Sequence, residues 1–261
     1  MANTSCLCIT GLSILMLISG CDGTTSGEKQ AQPNLKADFV AAADALIAKT
    51  GAPGEKDVMP AANDPTVLAF EAQSVKAIAA LGTDALPIEG FESYDALCGK
   101  GANIVGAYGL AGTKGTAGAA QQQKMERNIE QNFDAVFSPI LFTARCNATH
   151  MAFLEGELGS SGPSKAAAVK QVRDGVFGQV VGLLQMAGDP TIDAGRLQRI
   201  VDILANDGSQ FGVGLSLAQR QEVSAQAQQV SGKVPENLRA KFEKFRSELA
   251  RIPCGKICST V

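Results

Sequence analysis

Apolar residues recur along most of this chain at intervals of three and four, the period of a helix with one buried face. Leu35 to Thr50 sets Phe39, Ala43, Leu46 and Ile47 on one side, and Gly51-Ala52-Pro53-Gly54 stops the pattern. Asp64-Pro65 opens a second helix, with Asp as N-cap and Pro in the first turn; it runs to Leu81, with Gly82 as its stop. Residues 92 to 112 read as a glycine-laden helix. A long amphipathic stretch follows from about Ala117 to Leu158, its stripe formed by Ile129, Phe133, Val136, Phe137, Ile140 and Leu141. Pro139 predicts a kink or split near Phe137, because proline lacks the N–H that an interior turn needs.

After a loop at 159 to 163, the period returns from Ser164 to Ala187 through Val169, Val172, Val176, Val180 and Leu183. Asp189-Pro190 predicts the next helix start, with Leu197, Ile200, Val201 and Leu204 buried. Gly208 to Gly214 reads as a link. Ser216 with Gln219 has the spacing of a capping box, which places a helix over Ser216 to Val230. Pro235 opens the last helix, with Leu238, Phe242, Phe245, Leu249 and Ile252 in line, and Pro253 closes it. No alternating strand pattern and no fixed repeat interrupt this series. The expected fold is all-α: about eight helices in one compact domain over 35 to 261, with the 159 to 163 loop as the one candidate divide.

Residues 1 to 34 differ in kind. The first twenty carry no charge, and Leu12 to Ile18 form an apolar run ending at Gly20. That run is too short to span a bilayer, which takes ~20 residues. It has the form of a signal peptide core followed by small residues. Ile18-Ser19-Gly20-Cys21 resembles the lipobox of bacterial lipoproteins. The resemblance covers the leader alone, and it implies cleavage before Cys21 and acylation of the Cys21 thiol and new amino group. In enteric lipoproteins an Asp after the lipidated Cys, here Asp22, favours inner-membrane retention. The leader departs from the usual pattern in lacking a Lys or Arg near Met1. Residues 22 to 34 are polar and read as a tether. The expected location is the periplasmic side of the envelope.

Composition narrows the picture further. About 241 residues follow the leader, enough for one large domain. Trp is absent and only two Tyr occur, a mix that favours close-packed helices over a sheet. The net charge of −3 argues against a nucleic-acid partner. Lys233 to Lys256 holds seven basic and three acidic residues, so the end of the chain is locally basic. Of the seven cysteines, Cys6 and Cys8 leave with the leader and Cys21 takes lipid. Cys98, Cys146, Cys254 and Cys258 remain, an even number that suggests two disulfides in an oxidising compartment. Four cysteines allow three connectivities; Cys98–Cys146 with Cys254–Cys258 is favoured, since the last two lie close in a terminal turn.

Three constellations invite a chemical reading. The stretch GKGANIVGAYGLAGTKGTAG from Gly99 to Gly118 is glycine-rich, but Lys114 is followed by Gly115 where a phosphate loop needs Ser or Thr after its Lys. Its small residues Ala102, Gly106, Gly109 and Thr113 fall on one helical face and predict close helix packing. His150, the only histidine, shares a face with Cys146 four residues before it. A nucleophile pair or half a metal site, completed by Cys254 and Cys258, would need Cys146 as a free thiolate, whereas a disulfide is its expected fate. Asn147-Ala148-Thr149 matches a glycosylation sequon, and Glu155 and Glu157 point to different faces. The last helix sets Arg239, Lys241, Lys244, Arg246 and Arg251 beside its apolar stripe, in the usual manner of an amphipathic helix.

No cofactor, metal or catalytic residue is expected. The expected role is that of a lipid-anchored module that binds a protein partner, one concrete form being an immunity protein that neutralises an envelope-targeting toxin. Its rivals are a structural or assembly lipoprotein and an enzyme acting on envelope polymers.

Overall fold

The computed structural model describes residues 35–81, 91–157 and 166–259. The leader, Cys21, Asp22, the tether, Gly82 and the 159 to 163 loop lie outside the described residues. Every regular element within them is a helix: α1 (Leu35–Thr50), α2 (Pro65–Ala80), α3 (Phe91–Gly109), α4 (Gly118–Gln131), α5 (Phe133–Glu157), α6 (Ala166–Ala187), α7 (Ala194–Gly214), α8 (Leu217–Ser231), α9 (Glu236–Arg251) and α10 (Lys256–Ser259). The chain is all-α, with two helices more than the periodicity predicts. One arises from a break in the long central stretch and the other is the short α10. The chain gathers into two compact units, one ending at Phe142 and the other running from Thr143 to Val261.

In the first unit α1 packs on α2 and α3, and α3 packs on α4. The predicted stripe of α1 is buried at Phe39, Ala43 and Leu46, with Ile47 half-buried at its edge. Phe39 stacks on Phe142 with ring centroids 4.3 Å apart and meets Phe70 of α2 at 5.5 Å. These rings anchor the core. The turn between α1 and α2 is tied at both ends. Lys56 Nζ donates to Lys49 O at 2.6 Å, covering a carbonyl that the helix end leaves open. Asp64 Oδ1 accepts from Thr66 N–H at 2.9 Å as the N-cap of α2, and the Asp64 carboxylate pairs with Lys49. Tyr108, fully buried, donates its hydroxyl to Pro60 O at 2.8 Å, and burial holds its pKa above the ordinary tyrosine value.

The Lys49 hydrogen bond, aided by Thr66, lowers the Asp64 pKa from 3.8 to about 2. A depressed carboxylate adds stability above its unfolded pKa and loses it as pH falls through the folded one. The brace should therefore hold down to about pH 4 and release between there and about pH 2. Lys49→Ala should return the Asp64 midpoint toward 3.8 in an NMR titration. An unchanged midpoint would show that Lys49 does not set it.

The break in the central stretch falls at Asn132 and not at Pro139. Asn132 Nδ2 donates to Asn128 O at 2.9 Å, and Asn132 O accepts from Ala135 N–H at 2.9 Å and Val136 N–H at 3.1 Å. The residue thus closes α4 and opens α5. Pro139 lies inside α5 and is buried there. It forfeits the bond its missing N–H would make four residues back and crowds that carbonyl, a cost that burial of its neighbours Val136, Phe137 and Leu141 offsets.

The glycine-rich stretch divides. Gly99 to Gly109 is helix α3, while Thr113, expected on the same helical face, lies in the following loop. Close packing holds at Gly109, where an added Cβ would stand 3.0 Å from Met125 Cγ of α4. Helix α4 also closes the carbonyl end of α3. Asn128 Nδ2 donates to Gly109 O at 2.9 Å and Ala111 O at 2.8 Å, and Lys124 donates to Gly112 O.

In the second unit α7 is the central helix and packs on α6, α9 and α10, while α8 packs on α6 and α9. Leu197, Ile200, Val201 and Leu204 are buried as the stripe predicts. Two starts and stops differ from the sequence pattern. Asp189 does not cap α7: its Oδ1 is taken by Thr191 N–H at 2.8 Å and by the Thr191 hydroxyl at 2.7 Å, a local turn. Asp193 is the cap, accepting from Arg196 N–H at 2.9 Å. The glycines from Gly208 to Gly214 form no link; α7 runs through them to Gly214. A Cβ on Gly208 would lie 3.0 Å from Phe245 Cδ2, and one on Gly212 would lie 2.5 Å from Ile252 Cδ1. These glycines admit α9 close against α7, and the packing offsets the low helix propensity of Gly, about 1 kcal/mol per residue. The capping box at Ser216 and Gln219 is present in both directions.

Candidate functional site

Three polar residues of the second unit, Arg220, Glu155 and Arg173, converge on the segment that follows α9. Arg220 lies on the buried stripe of α8 with Val223, Ala227 and Val230. It is 7 % exposed and reaches three backbone carbonyls: Nε donates to Leu215 O at 3.1 Å, and the guanidinium donates to Ile252 O at 2.6 Å and Pro253 O at 3.4 Å. Burial lowers its pKa from the ordinary arginine value, partly countered by the Glu155 charge. Arginine's rigid fork of donors suits this task of closing one chain end against another.

Glu155 of α5 closes the other side. Its carboxylate accepts from Lys256 N–H at 2.5 Å and Ile257 N–H at 2.9 Å, the first amides of α10. Gly255 lies so close to Glu155 that no Cβ would fit between them. Arg173 of α6, 8 % exposed, reaches Ile257 O at 3.5 Å, and Ile257 itself is buried. Cys254 and Cys258 are joined by a disulfide across this turn, with Cα atoms 5.3 Å apart. The result is a clasp: a cross-linked turn held by one carboxylate and two guanidinium groups. These hydrogen bonds go to backbone atoms of the chain itself, so the arrangement positions a segment.

A charge pair joins α5 to α7. Arg145 of α5 pairs with Asp207 of α7, whose side chain is fully buried while that of Arg145 is 16 % exposed. Burying two charges costs several kcal/mol each, and the pair is tolerated because each neutralises the other.

The residues singled out from sequence fall as follows. Cys98, 5 % exposed in α3, and Cys146, fully buried in α5, are both disulfide-bonded. The Cys146–His150 face therefore offers no free thiolate, and His150 is half-buried beside it. Among the described residues no group of three or more His, Cys, Asp or Glu side chains is placed to hold a metal. Asn147 of the sequon donates to Gln179 Oε1 at 2.8 Å. The basic residues of α9 are interleaved with carboxylates: Arg239 with Glu236, Lys241 with Asp202 at 2.6 Å, Lys244 with Glu248 at 3.6 Å and Arg246 with Glu243 at 2.7 Å. Surface pairs of this kind add ~0–1 kcal/mol each, and they leave less of a basic face than the sequence alone suggests.

Comparison with known protein families, curated proteins and solved structures finds no match to this chain. Among the described residues no helix is long and apolar enough to cross a membrane.

Proposed function

We propose that the chain is a lipid-anchored helical module on the periplasmic side of the cell envelope and that it binds a protein partner. The observation that carries the location is the lipobox-like Ile18-Ser19-Gly20-Cys21 at the end of an uncharged apolar leader. Two or more acyl chains on Cys21 at ~0.8 kcal/mol per buried methylene give durable anchoring. Asp22 favours the inner membrane. Cys98 with Cys146 is the proposed second disulfide, formed in the same oxidising compartment.

Support for a protein partner comes from α2. Leu68 and Val75 are 51 % and 46 % exposed, seven residues apart on one face, with exposed Ala69, Ala72 and Ala79 between and beside them. An aliphatic stripe in water costs free energy that a partner's apolar surface recovers. The concrete form of this reading is an immunity protein that intercepts an envelope-targeting toxin.

Crosslinking the full chain in intact envelopes tests the binding role. A discrete one-to-one adduct with one protein is expected, and Leu68→Asp with Val75→Asp should abolish it while the helical circular dichroism stays unchanged. An adduct with a secreted toxin supports the immunity form, whereas incorporation into a large membrane complex favours an assembly lipoprotein. Recovery of no adduct counts against binding and leaves an envelope-polymer enzyme as the reading to pursue.

A further inference from the structure

The disulfides of this chain fall into two environments. Cys98 and Cys146 are 5 % and 0 % exposed, closed off from any reagent in the folded protein. Cys254 is exposed and Cys258 is 7 % exposed, and their bond closes a turn of five residues on the surface of the second unit. Access is what thiol–disulfide exchange requires, since an incoming thiolate must reach one sulfur of the bond.

We propose that Cys254–Cys258 is a thiol–disulfide exchange site, open in the folded protein to an external dithiol, and that its reduction loosens the α10 clasp. The chemistry runs in two displacements. A thiolate of the dithiol attacks Sγ of Cys254, the exposed residue of the pair, forming a mixed disulfide as the Cys254–Cys258 bond breaks. Cys258 Sγ leaves as a thiolate and takes a proton from water. The second thiol of the reagent, deprotonated, then attacks its own sulfur in the mixed disulfide and releases Cys254 as a thiolate, which is protonated in turn. Two electrons pass from the dithiol, now a cyclic disulfide, to the protein, now a dithiol.

The clasp explains why such exchange is local. The bridged loop is short, so the crosslink restrains less of the unfolded chain than a long loop would. What it restrains is the turn whose Lys256 and Ile257 amides bond to Glu155. A four-residue helix has too few internal bonds to persist unaided. Without the bond, Glu155, Arg173 and the burial of Ile257 remain to hold α10 against α7.

The test uses the purified full chain under native conditions with dithiothreitol as the probe. Samples are alkylated at intervals and each cysteine is read by peptide mass. Cys254 and Cys258 should become alkylated at least tenfold faster than Cys98 and Cys146. Equal rates for all four, which signal reduction through global unfolding, would overturn the proposal, as would earlier labelling of Cys98 or Cys146. The double variant Cys254→Ser, Cys258→Ser then separates the crosslink from the reagent. Amide exchange at Lys256 and Ile257 should rise about tenfold while α7 amides keep their protection. Unchanged protection at Lys256 and Ile257 would refute the claim that the bond holds the clasp.

Discussion

Replacing Arg145 with Met should cost about 3–5 kcal/mol of unfolding free energy, because it strands Asp207. The Asp207 side chain has no contact with solvent, and Arg145 is the cation that neutralises it. Without that cation the carboxylate must stay charged in a medium that solvates it poorly, take up a proton, or admit water by opening α7 from α5. Each response costs stability. Met keeps the length and apolar stem of Arg, so loss of packing contributes little. The double replacement Arg145→Met, Asp207→Leu removes both charges and should recover most of the loss, since a buried pair adds little net stability over apolar residues of similar volume. Urea unfolding followed by circular dichroism reads both values. A single-variant loss below about 1 kcal/mol would show that Asp207 is hydrated after all.

Phe39→Ala should be comparably costly in the first unit, about 3–5 kcal/mol. Phe39 is fully buried and touches both other rings of its cluster, Phe142 at 4.3 Å and Phe70 at 5.5 Å. Removing it takes away apolar area that water would otherwise contact and leaves a cavity between α1 and α2 that rigid aromatic neighbours cannot fill. Leu68→Ala on the exposed face of α2 is the matched control, with a change within about 0.5 kcal/mol. Amide exchange of α1 and α2 separates the two variants: protection should fall in Phe39→Ala and persist in Leu68→Ala. Similar melting of both would mean that the ring cluster is not the anchor of this unit.

Much of the helical framework was legible because periodicity reports burial directly. The stripes at Phe39-Ala43-Leu46, at Leu197-Ile200-Val201-Leu204 and at Leu238-Phe242-Phe245-Leu249 are all buried. The errors came where one residue type serves two purposes. Gly208 and Gly212 resembled a link because glycine weakens helices; their real role is to admit α9, which only the partner helix reveals. Asp189-Pro190 has the form of a helix opening, but Thr191 takes the Asp189 carboxylate and Asp193 caps α7 instead. Of the kink or split that Pro139 predicts, the split does not occur at the proline, because a lost hydrogen bond is a smaller penalty than exposing the apolar residues around it.

The clasp and the Arg145–Asp207 pair both leave a signal in the sequence. Arg173 precedes Val176, Val180 and Leu183 at helical spacing, Arg220 stands in line with Val223, Ala227 and Val230, and Asp207 follows Ile200 and Leu204. A charge inside an apolar stripe announces a buried partner, because it is otherwise too costly to keep. Sequence alone does not say which partner: Arg220 meets backbone carbonyls some thirty residues away, and Asp207 meets Arg145 from another helix.

The lipid proposed on Cys21 would fix this helical module to a membrane. The most direct test of that anchor compares the full chain with its Cys21→Ser variant in cells fed labelled palmitate, followed by fractionation. The native chain should carry the label and sediment with membranes, while Cys21→Ser should be unlabelled and absent from the lipidated membrane fraction. Equal labelling and membrane retention of Cys21→Ser, or a native chain without label, would contradict the anchor.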